Sequence, residues 1–285
     1  MSALALASPP STLGIIAGGG ELPRVLMEAC RNNHRPYFVL ALENAADELT
    51  VEQAGDAVAW IRMGAIGKAL DLLRRNGVDE LVLAGRVTRP KLTALRPDLK
   101  GTKLLARIGG QLISGDNELL SSIVEFLEEE GFRITGAEEI MRDLQAPEGM
   151  IGSLYPDKRA QADIEIGARM AKAIGALDLG QAVIVQNGTV LGVEAVEGTD
   201  ALIRRCAELR TEERGGVLVK VKKPQQERRV DLPTIGVDTV ERIAECGFAG
   251  IAVEAGASLI LNRREVARRA DALGVFVIGF SLLDE

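Results

Sequence analysis

The 285-residue sequence predicts an α/β protein with an N-terminal parallel-sheet domain and a C-terminal domain of mixed α/β structure. In the first half, short apolar segments alternate with helical patterns, and glycines mark the ends of several segments, as in right-handed βαβ units. Aromatic residues make up only 3% of the chain, so the cores must be built from Val, Ile, Leu and Ala. That composition is typical of buried parallel strands covered by helices.

The N-terminal domain is predicted at residues 13–136, after a tail at 1–12 that we expect to be disordered. The segment TLGIIAGGG at 12–20 is predicted to be a buried strand that ends in three glycines. A helix follows, with Pro23 in its first turn, where a missing backbone N–H is harmless. The further elements predicted here are strands at 36–42 and 80–87 and helices at 67–76, 101–113 and 116–130.

The C-terminal α/β domain is predicted at 158–285, after a linker region at 137–157 that contains Pro and Gly but no clean period. It begins with a helix at 158–175. Two alternating apolar segments then flank Asn187-Gly188, and an Asn-Gly pair in that setting is a strong hairpin signal. The remaining predicted elements are helices at 201–210 and 236–246 and strands at 216–222, 249–254 and 275–280.

Composition excludes several classes of function. A formal net charge of -7 and few aromatic residues argue against nucleic-acid binding. No apolar segment approaches the roughly 20 residues that span a bilayer, and three dispersed cysteines fit a reducing compartment, so we expect a cytoplasmic protein. The one histidine, His34, lies in a loop-like segment, which argues against Ser-His-Asp, Cys-His and zinc chemistry. Any catalysis must therefore depend on carboxylates, lysines, arginines and a cation such as magnesium.

The turn Gly18-Gly19-Gly20 is the first candidate site. A glycine-rich turn between a strand and a helix can present backbone N–H groups to a phosphate. A dinucleotide fingerprint would need a third glycine where this chain has Pro23, although Glu43 could serve as its ribose-binding acid. Nucleotide or sugar-phosphate binding, nicotinamide binding and a purely structural tight turn all remain open for these glycines.

A second candidate site lies at the end of the strand predicted at 80–87. The segment there contains one glycine and three cations within seven residues: Gly85, Arg86, Arg89 and Lys91. Ligands of open parallel sheets bind outside the carboxyl ends of the strands, so these residues are predicted to face the same crevice as the glycine turn. A solvated loop that carries three cations is the alternative interpretation.

A third candidate site is acidic and follows the hairpin. Glu194, Glu197 and Asp200 could gather around a divalent cation, because Mg²⁺ needs only one or two carboxylates together with waters and phosphates. Thr199 lies beside them as a candidate for substrate binding. Thr199 or Asp200 could equally be the N-cap of the helix predicted at 201–210.

The fourth candidate site is the segment KVKKPQQERRVDLPTIGVD at 220–238. Its local positive charge opposes the acidic character of the whole chain, which indicates an anionic ligand such as phosphate. The cationic residues that precede Asp231 are Lys220, Lys222, Lys223, Arg228 and Arg229. Since Asp231 comes shortly before Pro233, we expect it in an extended segment or turn from which its carboxylate can project. A solvated strand edge decorated with lysines is the alternative.

Five segments in this order resemble the LpxI-type UDP-2,3-diacylglucosamine pyrophosphatases of Gram-negative lipid A synthesis. The segments are LGIIAGGGELP, VLAGRVTRP, GDNELL, VEAVEGTDALI and KPQQERRVDLPTIGVDT. The resemblance extends from residue 13 to residue 280, nearly the whole chain. It implies an N-terminal Rossmann-like domain and a C-terminal domain with the substrate held between them.

The resemblance also implies an activity. Members of this family hydrolyse the pyrophosphate of UDP-2,3-diacylglucosamine to UMP and 2,3-diacylglucosamine 1-phosphate (lipid X), with Mg²⁺ or another divalent cation such as Mn²⁺. Their essential aspartate corresponds to Asp231, and their basic positions match Lys220, Lys223 and Arg229. The implied partner is the lipid-linked nucleotide, with transient contact to the inner membrane surface. A homo-oligomer is expected on general frequency alone.

These observations combine into one mechanistic hypothesis. Asp231 binds Mg²⁺ or aligns the attacking water, while Lys220, Lys223 and Arg229 neutralise the pyrophosphate. The acids of the third site supply further metal ligands, and the glycine turn and the Gly85–Lys91 segment hold the nucleotide or the sugar. A nicotinamide-dependent oxidoreductase and a non-catalytic UDP-sugar or lipid-binding protein are the competing hypotheses.

Overall fold

The computed structural model describes residues 11–88, 95–109 and 116–282. The chain forms two compact units: residues up to Ile140, apart from 115–118, belong to the first, and the remainder belongs to the second. Both units combine helices with β-sheets, so the predicted α/β fold is confirmed. The predicted division of the chain at residues 137–157 stays a prediction.

The first unit contains a five-stranded parallel sheet in the order β3-β2-β1-β4-β5. Its strands are β1 (Thr12–Ala17), β2 (Tyr37–Leu42), β3 (Val58–Ile61), β4 (Val78–Ala84) and β5 (Arg133–Ile134). Ile15 of the central β1 pairs with Val39 on one side and Val82 on the other, and all three are fully buried. This order is that of a Rossmann-like sheet, in which the connections change direction between β1 and β4. Ligands of such sheets bind at that point.

Helices connect these strands. They are α1 (Leu22–Asn32), α2 (Glu48–Ala54), α3 (Ile66–Arg75), α4 (Leu99–Ile108), α5 (Asp116–Glu129) and α6 (Ala137–Ile140). Pro23 lies in the first turn of α1, as predicted. The sequence patterns did not indicate α2 or β3. They also extended β4 to residue 87, whereas the strand ends at Ala84 because Gly85 adopts a φ of +93°.

A buried carboxylate ties the β4–β5 edge to the loop before β2. Glu80 of β4 is 5% exposed and accepts hydrogen bonds from Arg35 and Arg133, each at 2.6 Å. Burial alone would raise the pKa of Glu80, but the two guanidinium groups outweigh it and lower that pKa. Glu80 is therefore ionised in the native protein, and its charge stabilises this edge of the sheet.

The second unit contains a mixed sheet in the order β6-β13-β11-β9-β7-β8 and a separate pair, β10 and β12. The strands are β6 (Gly149–Met150), β7 (Ala182–Gln186), β8 (Thr189–Val193), β9 (Val217–Lys220), β10 (Thr234–Ile235), β11 (Gly250–Glu254), β12 (Leu259–Ile260) and β13 (Phe276–Phe280). Strands β9, β11 and β13 run parallel, whereas β6, β7 and β8 pair with their neighbours in antiparallel fashion. The two-residue strands β6, β10 and β12 were not predicted.

Helices cover both faces of this sheet. They are α7 (Lys158–Ala176), α8 (Thr199–Ala207), α9 (Val237–Glu245) and α10 (Arg263–Leu273). Alternate strand residues point to opposite faces, so Val219 packs with α7 while Leu218 packs with α8, α9 and α10. The second unit therefore has three layers, with the sheet packed between α7 on one face and α8, α9 and α10 on the other. The segment predicted as a linker contains α6, a 3-10 turn at Arg142–Leu144 and β6.

The hairpin predicted at Asn187-Gly188 is present and joins β7 to β8. Both turn residues have positive φ, 51° and 78°, which is the conformation that an Asn-Gly pair favours. The buried carboxylate of Asp163 on α7 accepts the N–H groups of Asn187 and Gly188 at 2.9 and 2.7 Å. An acid on the covering helix therefore fixes the turn. Among the helices that the structure describes, none is long and apolar enough to cross a membrane.

Candidate functional site

The segment from Lys220 to Pro233 leaves the sheet at the carboxyl ends of the parallel strands. Lys220 ends β9 and Glu254 ends the neighbouring β11, so both lie at the same edge. The side chain of Lys220 is buried, and its Nζ donates to the carbonyl of Thr234 at 3.1 Å. The ammonium group of Lys220 is therefore held at β10, the strand that follows the loop with the predicted catalytic aspartate.

Asp231 lies outside regular secondary structure and shortly before β10, as the following proline predicts. Its Oδ2 accepts a hydrogen bond from Nε2 of Gln226 at 2.5 Å. Its backbone N–H donates to the carbonyl of Glu227 at 3.2 Å. Asp231 is half-buried, and its carboxylate is held within the loop by Gln226.

The other two predicted cations each contact a carboxylate. Nζ of Lys223 lies 2.8 Å from Oδ1 of Asp178, with the two side chains only 11% and 17% exposed. Arg229 donates from Nε and Nη2 to the two carboxylate oxygens of Glu227, both at 3.0 Å. These hydrogen bonds, assisted by the charge of Arg229, lower the pKa of Glu227 against the opposing effect of burial. Lys223 and Arg229 are therefore each paired with an acid of the same unit.

The remaining cations of the segment anchor its backbone. Glu254 accepts the N–H of Lys222 at 2.7 Å and contacts Nζ of Lys172 at 3.0 Å. Burial and the nearby Lys172 lower the pKa of Lys222. Nη2 of Arg228 donates to the carbonyl of Gly256 at 2.9 Å. Lys222 and Arg228 thus attach the loop to the end of β11.

The acids of the third predicted site take part in local structural contacts. Oε1 of Glu194 accepts from the hydroxyl of Thr199 at 2.6 Å, and its Oε2 accepts from the N–H of Gln181 at 3.1 Å. Glu197 binds Arg205 at 2.8 Å. These contacts tie the end of the hairpin to α8 and to the strand β7.

Asp200 lies in the first turn of α8 and forms an ion pair with Arg242 of α9 at 3.4 Å. The interpretation of Thr199 or Asp200 as the N-cap is wrong, because α8 begins two residues earlier than predicted and Gly198 occupies the cap. Within the described residues, no group of three or more acids, histidines or cysteines converges as a metal site would require. Glu194, Glu197 and Asp200 each contact a different partner in this structure, and their role as magnesium ligands stays a prediction. The metal role of Asp231 also stays a prediction; one carboxylate is sufficient for a cation completed by waters and phosphates.

In the first unit, the predicted glycine turn lies at the change of direction between β1 and β4. Its N–H groups already have acceptors: Gly18 donates to Ala84 and Gly19 to Arg86, both at 2.8 Å. Gly20, with a φ of +96°, donates to the carboxylate of Asp47 at 2.7 Å. The expectation that these N–H groups point at a phosphate therefore does not match the arrangement in this structure.

Close backbone approach explains the glycines. Gly19 and Arg86 exchange two backbone hydrogen bonds, at 2.8 and 2.7 Å, which join the ends of β1 and β4. A Cβ on Gly18 would lie 2.5 Å from the carbonyl oxygen of Arg86, and a Cβ on Gly85 would lie 2.6 Å from that of Gly19. The exposed side chain of Arg86 remains beside the turn, with Nε 3.9 Å from the position of a Cβ on Gly20. Arg89 and Lys91 lie outside the described residues.

Sequence reasoning missed three residues of the C-terminal site: Asp178, Gln181 and Gln226. Asp178 and Gln181 follow α7 and lie about 45 positions before their partners. No local pattern could connect them with the loop. Gln226 stands beside Gln225 within the motif, and the sequence does not distinguish them; in the structure Gln226 is buried and Gln225 is exposed.

Comparisons with known proteins bear on both units. A family model described as the LpxI N-terminal domain matches residues 12–144, and one described as the LpxI C-terminal domain matches residues 147–278. The chain is 44% identical, over 94% of its length and 96% of the relative's, to the UDP-2,3-diacylglucosamine pyrophosphatase LpxI of Caulobacter vibrioides. A solved N5-carboxyaminoimidazole synthase from Aspergillus clavatus, with ADP and 5-aminoimidazole ribonucleotide, matches at 13% identity over 72% of this chain and 45% of that one. Its TM-score is 0.23, too low to support an argument.

Proposed function

The chain belongs to the LpxI family, and from this premise we propose that it hydrolyses the pyrophosphate bond of UDP-2,3-diacylglucosamine in lipid A biosynthesis. The observation that carries the proposal is the 44% identity over nearly the full length of a pyrophosphatase of that name. The products are UMP and 2,3-diacylglucosamine 1-phosphate. Hydrolysis of a phosphoric anhydride needs positioning and charge neutralisation rather than a protein nucleophile, which suits a chain with one histidine.

Asp231 is the residue that directs the water in this proposal. Asp231 is half-buried and its carboxylate is held by Gln226, while the buried Lys220 of the same segment donates to the carbonyl of Thr234. A carboxylate in this position can accept the proton of an attacking water or hold a divalent cation. When bound, Mg²⁺ or Mn²⁺ neutralises charge on the phosphate oxygens.

Lys223 and Arg229 bind the pyrophosphate oxygens, together with Lys220. Two observations support this role. The residues lie in one short segment, and Lys223 and Arg229 each contact an anionic group in this structure, Asp178 and Glu227 respectively. A guanidinium can contact a carboxylate and a phosphate at once, because it has five N–H donors. The ammonium group of Lys223 likewise has three donors.

The first unit binds the polar part of the substrate at the change of direction between β1 and β4. Arg86 supplies a cation beside the glycine turn, while Gly18, Gly19 and Gly85 allow the two strand ends to meet closely. The turn N–H groups are bonded within the protein, so the side chain of Arg86 carries this binding rather than the backbone.

Replacing Asp231 tests the proposal. We expect Asp231→Asn to lower the turnover number for UMP release by about a hundredfold or more at saturating Mg²⁺, as for loss of a general base. Asp238→Asn is the matched control, since Asp238 follows in the same motif and is exposed in the first turn of α9. It should stay within about twofold of the wild type.

Near-wild-type turnover by Asp231→Asn would contradict the assigned role. Absence of UMP release by the wild-type protein, with tight substrate binding, would instead favour the non-catalytic binding protein. Addition of EDTA, followed by Mg²⁺ or Mn²⁺, tests the metal requirement independently, because activity should disappear and then return.

Contact with a membrane surface forms part of the proposal, because a diacylated substrate partitions into bilayers. Three aliphatic side chains near the loop are exposed: Leu177 at 71%, Leu179 at 57% and Val196 fully. Leu179 and Val196 each lie two residues from the hydrogen bond that joins Gln181 to Glu194. Exposed aliphatic side chains grouped beside a site for a lipid can insert among acyl chains.

Vesicles of phosphatidylethanolamine and phosphatidylglycerol test this contact. The combined variant Leu177→Ser, Leu179→Ser, Val196→Ser should sediment with them less than the wild type does. Leu209→Ser is the control, because Leu209 is 53% exposed at the opposite end of α8. Equal loss of binding by both variants would remove the surface from the proposal. The homo-oligomer stays a prediction that sedimentation velocity would decide.

A further inference from the structure

Gln226 is a buried amide inside the loop that carries Asp231. Only 5% of the residue is exposed, although it lies within a segment of charged and exposed neighbours. Its side chain makes three hydrogen bonds, to Lys223, Gln181 and Asp231. A buried polar side chain with this many partners fixes the conformation of the groups around it.

The partners determine which way the amide points. The backbone N–H of Lys223 donates to Oε1 at 3.0 Å, so the oxygen must face that group. The nitrogen then faces two acceptors, Oδ2 of Asp231 at 2.5 Å and Oε1 of Gln181 at 3.2 Å. A carboxamide supplies one acceptor and two donors in this geometry, whereas a glutamate could not donate when ionised and a leucine could do neither.

Gln181 connects this amide to the sheet. It immediately precedes β7, and its carbonyl accepts the N–H of Val221 at 3.0 Å. Its own N–H donates to Glu194 at 3.1 Å. Gln226 therefore links the Asp231 carboxylate to the buried start of the strand β7, although Asp231 itself lies in an irregular loop.

We propose that Gln226 is the positioning residue for Asp231: its Nε2–H bond holds one carboxylate oxygen and so sets the orientation of the carboxylate toward the reacting phosphate. The role rests on the proposed hydrolysis, in which Asp231 acts directly on water or a cation. Gln226 itself acts through Asp231. A catalytic group displaced by about 1 Å can lose on the order of a hundredfold in rate, so its support matters to turnover.

Two substitutions separate the donor from the rest of the side chain. Gln226→Glu keeps the length and the acceptor for Lys223; when ionised it cannot donate to Asp231 and places a like charge beside it. Gln226→Leu removes both the acceptor and the donor and adds no charge. We expect each to lower kcat by about tenfold or more, and KM to stay within about twofold for Gln226→Leu, which is the variant that isolates positioning. Gln225→Glu and Gln225→Leu are matched controls, because Gln225 is the adjacent exposed glutamine and donates to the carbonyl of Gly175 instead. Both controls should keep the wild-type kcat.

Crystal structures of the wild type and of Gln226→Leu give a readout that does not require activity. We expect the Asp231 carboxylate to have one conformation in the wild type, and to be rotated or to occupy two conformations in the variant. If Gln226→Leu does not fold, Gln226→Glu serves for both measurements, since it keeps the acceptor for Lys223.

The outcomes are distinct. An unmoved Asp231 with unchanged kcat overturns the inference, even where the variant unfolds at a lower temperature. A rise in KM at constant kcat also overturns it, because substrate binding rather than positioning would then be affected. If the wild type releases no UMP, the proposed function fails, and the orientation of Asp231 in the two crystal structures still decides whether Gln226 positions it.

Discussion

Replacing Gly85 by alanine should destabilise the first unit, and the same replacement at Gly131 provides a matched control. Gly85 has a φ of +93°, and an added Cβ would lie 2.6 Å from the carbonyl oxygen of Gly19. Gly131, in the same unit, has a φ of +95° and no atom within 4 Å of an added Cβ. The unfavourable backbone conformation is therefore common to both substitutions, and only Gly85→Ala adds a collision with backbone.

The magnitudes follow from these two differences. A positive φ destabilises a non-glycine residue by about 1 to 2 kcal/mol, which is the full effect that we expect for Gly131→Ala. Overpacking adds about 1 to 3 kcal/mol at Gly85, because the two hydrogen bonds between Gly19 and Arg86 must shift. The free energy of unfolding should thus fall by about 2 to 5 kcal/mol in Gly85→Ala.

Urea unfolding followed by tryptophan fluorescence measures this difference. Trp60 is the only tryptophan of the chain and lies in β3, so its emission reports on the sheet of the first unit. Equal losses in Gly85→Ala and Gly131→Ala would refute the close approach of the two strand ends. A larger loss in Gly85→Ala together with weaker substrate binding would connect that approach to function.

Further predictions concern buried ionisable groups. Glu80→Gln should lower the free energy of unfolding at pH 7 by about 2 to 4 kcal/mol, because it leaves two guanidinium groups without their charged partner. The folded-state pKa of Glu80 is lowered, so the ionised carboxylate stabilises the folded state fully above about pH 4.3, the ordinary pKa of glutamate, and this stabilisation is lost as the pH falls through the folded-state pKa. In urea unfolding, the difference in unfolding free energy between variant and wild type should therefore be smaller at pH 3 than at pH 7. Asp163→Asn should destabilise the second unit by about 1.5 to 3 kcal/mol, measured by calorimetry, since the amide keeps one acceptor but turns its NH2 group toward the other turn N–H, so that one hydrogen bond is lost and the remaining one is no longer charge-assisted; no change would show that the turn needs no cap. Burial raises the pKa of Cys30 and of Cys246, but only Cys246 is partly accessible, so a thiol reagent at pH 8 should modify Cys246 first in the native protein.

Much of the fold could be predicted because its elements carry strong local patterns. The strand at Thr12–Ala17, the helix α7 and the Asn187-Gly188 hairpin all have them. The helix α10 escaped prediction because its sequence, RREVARRADAL, is highly charged and buries only Val266 and Ala270. The strands β10 and β12 contain two residues each, which is too short for any periodicity to appear.

The site was only partly accessible from the sequence. Asp231 stands out because it follows a cationic segment and precedes Leu-Pro. Its supports do not, since Gln181 and Asp178 reach the loop only after the sheet has brought distant segments together. The acids after the hairpin lie close together along the chain, which suggested one metal site. In the fold each of these carboxylates contacts a different cationic or hydroxyl group, and the metal site stays a prediction.

The internal acid partners of Lys223 and Arg229 have a consequence for selectivity in a cell full of phosphorylated metabolites. A site whose cations were uncompensated would attract orthophosphate and every nucleotide. Here Asp178 and Glu227 partly neutralise the two cations, so a single phosphate should bind only weakly. In the proposed function a bridged diphosphate contacts both Lys223 and Arg229, so its binding gains two attractive interactions where a single phosphate gains one. When the bridge has been cut, each single phosphate again competes with a carboxylate, and we expect the products to leave readily rather than inhibit.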